Sequence, residues 1–240
     1  MPAGVSRQAC DLLVGCWRNR RGLRWRRSVV TVVLANGHGG VTHVGGVVVL
    51  DVETRDWGEP RGEWRAPRLA VAVAFHAASA TYRTYFEQDA ERLVADLQQA
   101  ELVVGFAVQS FDYVVLERYG GPSVHELPTL DILEEVRKSL RRRVGLHHLA
   151  LATLGRGKSA DGWQALRWWR RGWVDRVVEY CRRDVELTWE LYRFGCENGY
   201  LRYRDTQGRL REVPVSWAGP GIDAGMPGKA SGGPWLGSRA

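Results

Sequence analysis

Residues 47–53 read Val47-Val48-Val49-Leu50-Asp51-Val52-Glu53. Four consecutive aliphatic side chains, without polar alternation, predict a strand buried on both faces in the middle of a sheet. The run ends by delivering Asp51 and Glu53 to the sheet's edge. Residues two apart on a strand share a face, separated by about 6.6 Å at roughly 3.3 Å rise per residue, so the two carboxylates point the same way. Far downstream, Tyr180 and Asp184 fall four apart on an expected helix, where such positions stack with Cβ atoms about 5–6 Å apart. Asp112 sits on a third element, another expected helix. Four carboxylates gathered in one pocket repel each other and resist ionisation unless divalent cations lie between them. Asp51, Glu53, Asp112 and Asp184 therefore predict a metal site, with Mg2+ or Mn2+ as the hard, oxygen-seeking occupant. Taken singly each residue has an ordinary explanation: Glu53 as a solvated strand end, Asp112 as a first-turn acid, Tyr180 as a core aromatic. Their order, each at an element position that points inward, makes the set specific to a metal-dependent nuclease.

Beyond this run, Leu69–Phe75 and Thr81–Phe86 are strand candidates around a small-residue turn at 77–80, a meander with the first strand. Asp89 is a plausible N-cap for a helix carrying Leu93, Val94, Leu97 and Ala100. Leu102–Val104 reads as a fourth strand and Leu127–Leu130 as a weak fifth. Asp131 with Glu134 forms a capping-box start, a better account of Asp131 than metal ligation. Leu146, Leu149, Ala150 and Thr153 form an amphipathic stretch ended by Gly155. The pattern from Trp173 to Asn198 is the strongest helix in the chain, closed by Asn198 and Gly199. Tyr200–Arg204 and Leu210–Val213 look like a hairpin around 205–208. Three antiparallel strands, then strands alternating with helices, indicate an α/β sheet of mixed direction.

At 240 residues and 45% hydrophobic content the chain can bury a sizeable core as one domain. The domain is expected over 46–217, between a basic extension over 1–45, whose run Ser28–Ala35 could form a strand or belong to a disordered segment, and a Gly- and Pro-rich tail over 218–240 expected to be disordered. No apolar stretch is long enough for a bilayer, which argues against a membrane protein and for a cytoplasmic one. Cys10, Cys16, Cys181 and Cys196 show no CxxC spacing, so reduced thiols fit better than zinc or disulfides.

The net charge of +7 looks like a nucleic-acid signal until it is divided along the chain. Residues 1–46 hold seven arginines against one acid, so the rest is nearly neutral. Within it, however, residues 137–171 carry ten Arg or Lys and the single acid Asp161, with Trp163, Trp168 and Trp169 interleaved. Arg141, Arg142, Arg143, Arg156 and Lys158 are candidate phosphate contacts and the tryptophans candidate base-stacking platforms. The competing explanation is a solvated arginine face with tryptophans covering a core edge. His147 and His148, adjacent on a helix, point about 100° apart and make a poor joint metal site.

These residues resemble a DnaQ-like 3′–5′ exonuclease of the DEDD class, within the ribonuclease H-like superfamily. The resemblance spans about residues 46–217. The family's DxE motif matches Asp51 and Glu53, its Phe-Asp motif Phe111 and Asp112, and its Tyr-x-x-x-Asp motif Tyr180 and Asp184. Glu179 stands where the histidine subtype has its histidine, so the tyrosine subtype is the one resembled. Leu154-Gly155 through Lys158, with Tyr180-Cys181 and Asp184-Val185, is similar to the proofreading domains of family B DNA polymerases and to related stand-alone predicted exonucleases. One position departs: Ala107 stands where the family usually has Asn, which removes a side-chain hydrogen bond near the substrate strand.

The resemblance implies a ribonuclease H-like mixed five-stranded sheet flanked by helices, two metal ions, and phosphodiester hydrolysis at single-stranded DNA or RNA ends. It implies that Asp51 bridges both ions, that Glu53 and Asp184 complete one, that Asp112 holds the other, and that Tyr180 orients the attacking water. A helicase or polymerase acting in trans is a candidate partner. The rival functions are a non-catalytic nucleic-acid-binding or helicase-associated module on the same fold, and a structure-specific endonuclease.

Overall fold

The computed structural model describes residues 46–56, 67–158 and 162–217. The expected basic extension and the Gly- and Pro-rich tail lie outside the described residues, as do Cys10 and Cys16. The aliphatic run becomes β1 (Val47–Thr54), followed by β2 (Leu69–His76), β3 (Thr81–Phe86), α1 (Ala90–Gln98), β4 (Leu102–Gly105), α2 (Asp112–Gly120) and β5 (Thr129–Asp131). Then come α3 (Ile132–Leu140), α4 (Leu146–Leu154), α5 (Gly162–Arg170), α6 (Val174–Asn198), β6 (Tyr200–Arg204) and β7 (Leu210–Pro214). The first five strands form one sheet in the order β3-β2-β1-β4-β5. β1 pairs antiparallel with β2 and parallel with β4, β2 antiparallel with β3, and β4 parallel with β5. This is the mixed five-stranded sheet expected for a ribonuclease H-like α/β fold.

β1 is central, which is why its sequence is continuously aliphatic: both faces need apolar side chains. Val47 and Val49 pack on one face against α4 and α6, whereas Val48, Leu50 and Val52 pack on the other against α1 and α2. Period-two alternation then assigns Asp51 and Glu53 to the α6 face. The pairing of β1 with β2 shifts register between Glu53 and Thr54, so the strand's irregularity falls immediately beyond the two carboxylates.

α6 buries Val177, Tyr180, Cys181, Asp184, Val185, Thr188, Leu191, Tyr192 and Gly195, one face at helical spacing. The helix therefore lies along the sheet and carries two polar residues into it with its apolar stripe. Gly199, at φ 75°, closes it in the left-handed conformation that glycine adopts without cost. The β6–β7 hairpin caps the core through Leu201 and Val213. It is tied to α4 by Thr153, whose hydroxyl accepts from Arg202 N (2.9 Å) and donates to Arg202 O (3.0 Å).

Several local expectations change. Asp89 stands at the α1 N-cap position, but its carboxylate accepts from Phe86 N (3.2 Å), one turn earlier, because a short 3₁₀ turn over Glu87–Asp89 precedes the helix. The weak fifth strand is shifted to Thr129–Asp131. Residues 162–170, read only as part of a basic patch, form α5, whose Ala165 and Leu166 are buried while Trp168 and Trp169 pack against the core edge. Among the described residues no helix is long and apolar enough to cross a membrane.

Candidate metal centre and active site

Asp51, Glu53 and Asp184 each bring a carboxylate oxygen within 4.8 Å of the others. Strand alternation supplies the first two and the buried face of α6 the third. Asp112 stands outside this triad. It opens α2, which packs on the opposite face of the sheet, yet its carboxylate lies close enough to Asp51 to feel its charge and is braced by the N–H groups of Asp112 itself and Val52. Tyr180, 2% exposed, lies one helical turn before Asp184, edge-on to Trp168 at 6.1 Å. Behind the triad the Cys181 thiol donates to Asp51 O at 3.2 Å, fastening α6 to the strand that carries the first carboxylate.

The electrostatics follow from crowding acids in a dry pocket. Burial, then the charge of Asp184, pushes Asp51 up to about 7, although Lys158 offsets part of this. Glu53 and Asp112 are raised well above the ordinary carboxylate range, first by burial and then by Asp51. Burial also raises Asp184, against the pull of Lys158 and Tyr180. Tyr180 is raised by burial and by Asp184, which keeps its hydroxyl protonated at neutral pH. Asp51 Oδ2 and Asp112 Oδ1 are buried without a hydrogen-bond partner. A buried acceptor left unsatisfied costs about 1–3 kcal/mol. Hard, orphaned oxygen donors that resist ionisation fit a divalent cation of the Mg2+ or Mn2+ class, which satisfies both deficits at once.

In a comparison with protein families, the RNase_H superfamily model matches residues 48–194, more than half of the chain. The chain belongs to the RNase H superfamily. A search of the curated proteins finds no match. Among solved structures, this RNase H superfamily chain is similar to the family B DNA polymerase from the hyperthermophilic archaeon Pyrobaculum calidifontis, with a TM-score of 0.50 and 13% identity. The alignment covers 78% of this chain and 29% of that polymerase, so the likeness concerns the fold of a part of it.

Lys158, a candidate phosphate contact by sequence, is folded against the acidic cluster. Its Nζ lies 2.5 Å from Asp184 Oδ2 and 5.0 Å from the centre of the Tyr180 ring. Burial alone would depress its ammonium, but Asp184 and Asp51 outweigh this and raise it. The acidic cluster thus contains an internal cation, which a basic stretch of sequence does not reveal. Of the remaining basic candidates, Arg156 is paired with Glu190. Arg141 ends α3 in the left-handed conformation, and Arg142 and Arg143 line a cavity at the start of α4.

Asp131 is a cap and also a hub. Its carboxylate accepts from Leu133 N (3.0 Å) and Glu134 N (3.4 Å) at the start of α3. It also accepts from Ala107 N (2.9 Å) and Gln109 N (3.1 Å) in the loop that leads to Asp112. Glu134 pairs with Arg137, the more direct partner available to it. Sequence spacing exposed the cap but not the loop contacts, which join residues 24 and 22 positions apart. The loop needs such an anchor because Ala107 adopts φ 65°. An alanine there is strained by about 1–2 kcal/mol, whereas asparagine tolerates the conformation better. Ala107→Asn is therefore expected to stabilise the protein by about 1 kcal/mol in urea unfolding; an unchanged or lower stability would contradict the strain.

The raised carboxylates set a pH dependence. In metal-free protein the stability held by protonated Asp51 is whole below its unfolded value, about 4, and is lost as pH rises through its folded value of about 7. Divalent metal requires the ionised form, so its benefit grows over the same window. Saturating Mg2+ should raise the melting temperature more at pH 8 than at pH 5.5. Equal shifts at both pH values would show that metal does not meet these groups.

Proposed function

We propose that this chain is a metal-dependent 3′–5′ exonuclease of the tyrosine DEDD subtype, acting on single-stranded DNA or RNA ends. The observation that carries this reading is the convergence of Asp51, Glu53 and Asp184 within 4.8 Å, with Asp112 adjoining and Tyr180 one turn away. Asp51, Glu53 and Asp184 would hold Mg2+ or Mn2+, with Asp112 completing the donor set. A bound pair of such ions supplies charge stabilisation to the attacking and leaving oxygens of an in-line displacement.

The chain's own groups do the rest. Tyr180, kept protonated, acts as a donor that aims the attacking water and not as a general base. Lys158, kept charged beside Asp184, supplies a fixed positive charge near the reacting phosphate. Asp131 holds the loop that leads to Asp112, and Cys181 holds the backbone of Asp51. Tyr180→Phe should retain Mn2+ binding and lose roughly 10²-fold or more in turnover number, the lower range for losing one positioned donor. An unchanged turnover number would remove the tyrosine from the mechanism.

A non-catalytic nucleic-acid-binding or helicase-associated module is the second reading. It is favoured by the Lys158–Asp184 contact, which partly neutralises the cluster from within, and by Ala107. The test is hydrolysis of end-labelled and circular single strands, in matched DNA and RNA versions, with Mn2+. The exonuclease reading expects stepwise release from 3′ ends with circles intact. Cut circles would indicate an endonuclease, and no cleavage of either substrate a binding module.

A further inference from the structure

Arg142 and Arg143, in the loop between α3 and α4, and Arg204, at the end of β6, line a cavity of about 240 Å³ together with Gly145, His148 and Leu151. It shares no residue with the carboxylate triad, and no acid lines it. Among the described residues no carboxylate pairs with any of the three guanidinium groups. The one acid next to them in sequence, Asp205, is engaged by Arg209 at 3.0 Å and Arg211 at 3.1 Å. Among the described residues, therefore, no ion pair offsets the charge lining this cavity.

Two of the arginines are also held in place. Arg142 Nη2 donates to Arg204 O (3.3 Å), and its guanidinium lies 5.0 Å from the centre of the Tyr203 ring. Arg204 Nη1 donates to Gly208 O (2.8 Å). Each keeps further N–H donors and is already partly oriented by these contacts, so less entropy is lost when an anion arrives. Planar guanidinium forks match phosphate oxygens in geometry as well as charge. The start of α4 adds a smaller positive contribution.

We propose that this cavity is a phosphate-binding exosite, which grips the sugar–phosphate backbone of a nucleic-acid strand away from the carboxylate site. The identification of the strand as the phosphate's source rests on the nuclease reading; the anion site itself does not. The exosite gives affinity without sequence preference, because it reads backbone and not bases.

The test is anisotropy of a fluorescent single-stranded oligonucleotide in EDTA, where hydrolysis is suppressed, across a salt series. Wild type is compared with Arg143→Gln/Arg204→Gln, which leaves Arg142 on Tyr203, and with Arg204→Gln alone as a milder change. Melting temperatures confirm that the variants fold. The double variant should bind about tenfold more weakly at low salt. Its plot of log affinity against log salt should be shallower by about 0.7 for each phosphate that it no longer neutralises. Wild-type affinity and slope in both variants would overturn the exosite. Inorganic phosphate, followed by its effect on melting temperature, is the second probe. If the variants lose its stabilising effect yet bind the oligonucleotide as wild type does, the cavity takes a free phosphate and the strand assignment is wrong. Salt-dependent strand binding that weakens in the double variant, in a protein that hydrolyses nothing with Mn2+, would sink the nuclease reading and leave the exosite standing.

Discussion

Asp184→Ala is expected to fold, and to lose phosphodiester hydrolysis by on the order of 10³-fold or more. That corresponds to about 4 kcal/mol of transition-state stabilisation, the scale associated with removing one preorganised electrostatic group. Asp184 is 1% exposed and belongs both to the carboxylate triad and to the Lys158 contact, so its loss disables metal holding and frees the ammonium together. The fold should survive because the acids repel each other: Asp184 is a cause of the raised state of both Asp51 and Glu53. Removing it relieves them, and Lys158 keeps Asp51 as a neighbouring charge. In EDTA at pH 8 the variant should therefore melt no lower than wild type. Wild-type turnover by the folded variant would contradict the site, whereas collapse of the fold would contradict its electrostatics.

Gly195→Ala is expected to destabilise the protein by about 2 kcal/mol, although the same change inside an ordinary helix stabilises by about 1 kcal/mol. The reason is Trp217. A Cβ at position 195 would collide with Trp217 Cζ2 and lie 2.6 Å from its Nε1. The indole cannot give way freely, because Nε1 donates to Tyr192 O at 3.1 Å and the ring stacks on Tyr192, with centroids 6.5 Å apart. Trp217→Ala should cost about 3–5 kcal/mol, as the ring closes the core between α6 and the hairpin. The double variant should cost less than the sum of the two singles, since the alanine no longer meets an indole. Urea unfolding of the three proteins checks this, and a more stable Gly195→Ala protein would show that Trp217 does not seat there.

What the sequence disclosed and what it concealed divide along physical lines. β1, α6 and the β6–β7 hairpin were legible because each has a local signature: an aliphatic run, a long 3.6-residue periodicity, two short strands around a polar turn. The pairing of the candidate site residues was legible for a related reason. Asp51 and Glu53 share a face by strand alternation, and Tyr180 and Asp184 by helical repeat, so two pairs had fixed internal geometry before any tertiary contact was known. α5 was not legible, because its buried pair Ala165 and Leu166 is short and lies among tryptophans and arginines, a composition that reads equally as a binding stripe. The contact of Lys158 with Asp184 was not legible, because charge along a chain does not show which cation folds inward. The second duty of Asp131 was invisible for the same reason, since it depends on backbone groups more than 20 residues away.

Whether the carboxylate cluster holds the catalytic metal is decided by a Mn2+ titration. Bound Mn2+, measured by electron paramagnetic resonance, and mononucleotide release from a 3′-labelled single strand would be followed in the same samples of wild type and Asp51→Asn. The two signals should rise together in wild type, and both should be lost or strongly weakened in Asp51→Asn. Undiminished Mn2+ binding by Asp51→Asn, or release that proceeds in EDTA, would contradict a metal centre at Asp51.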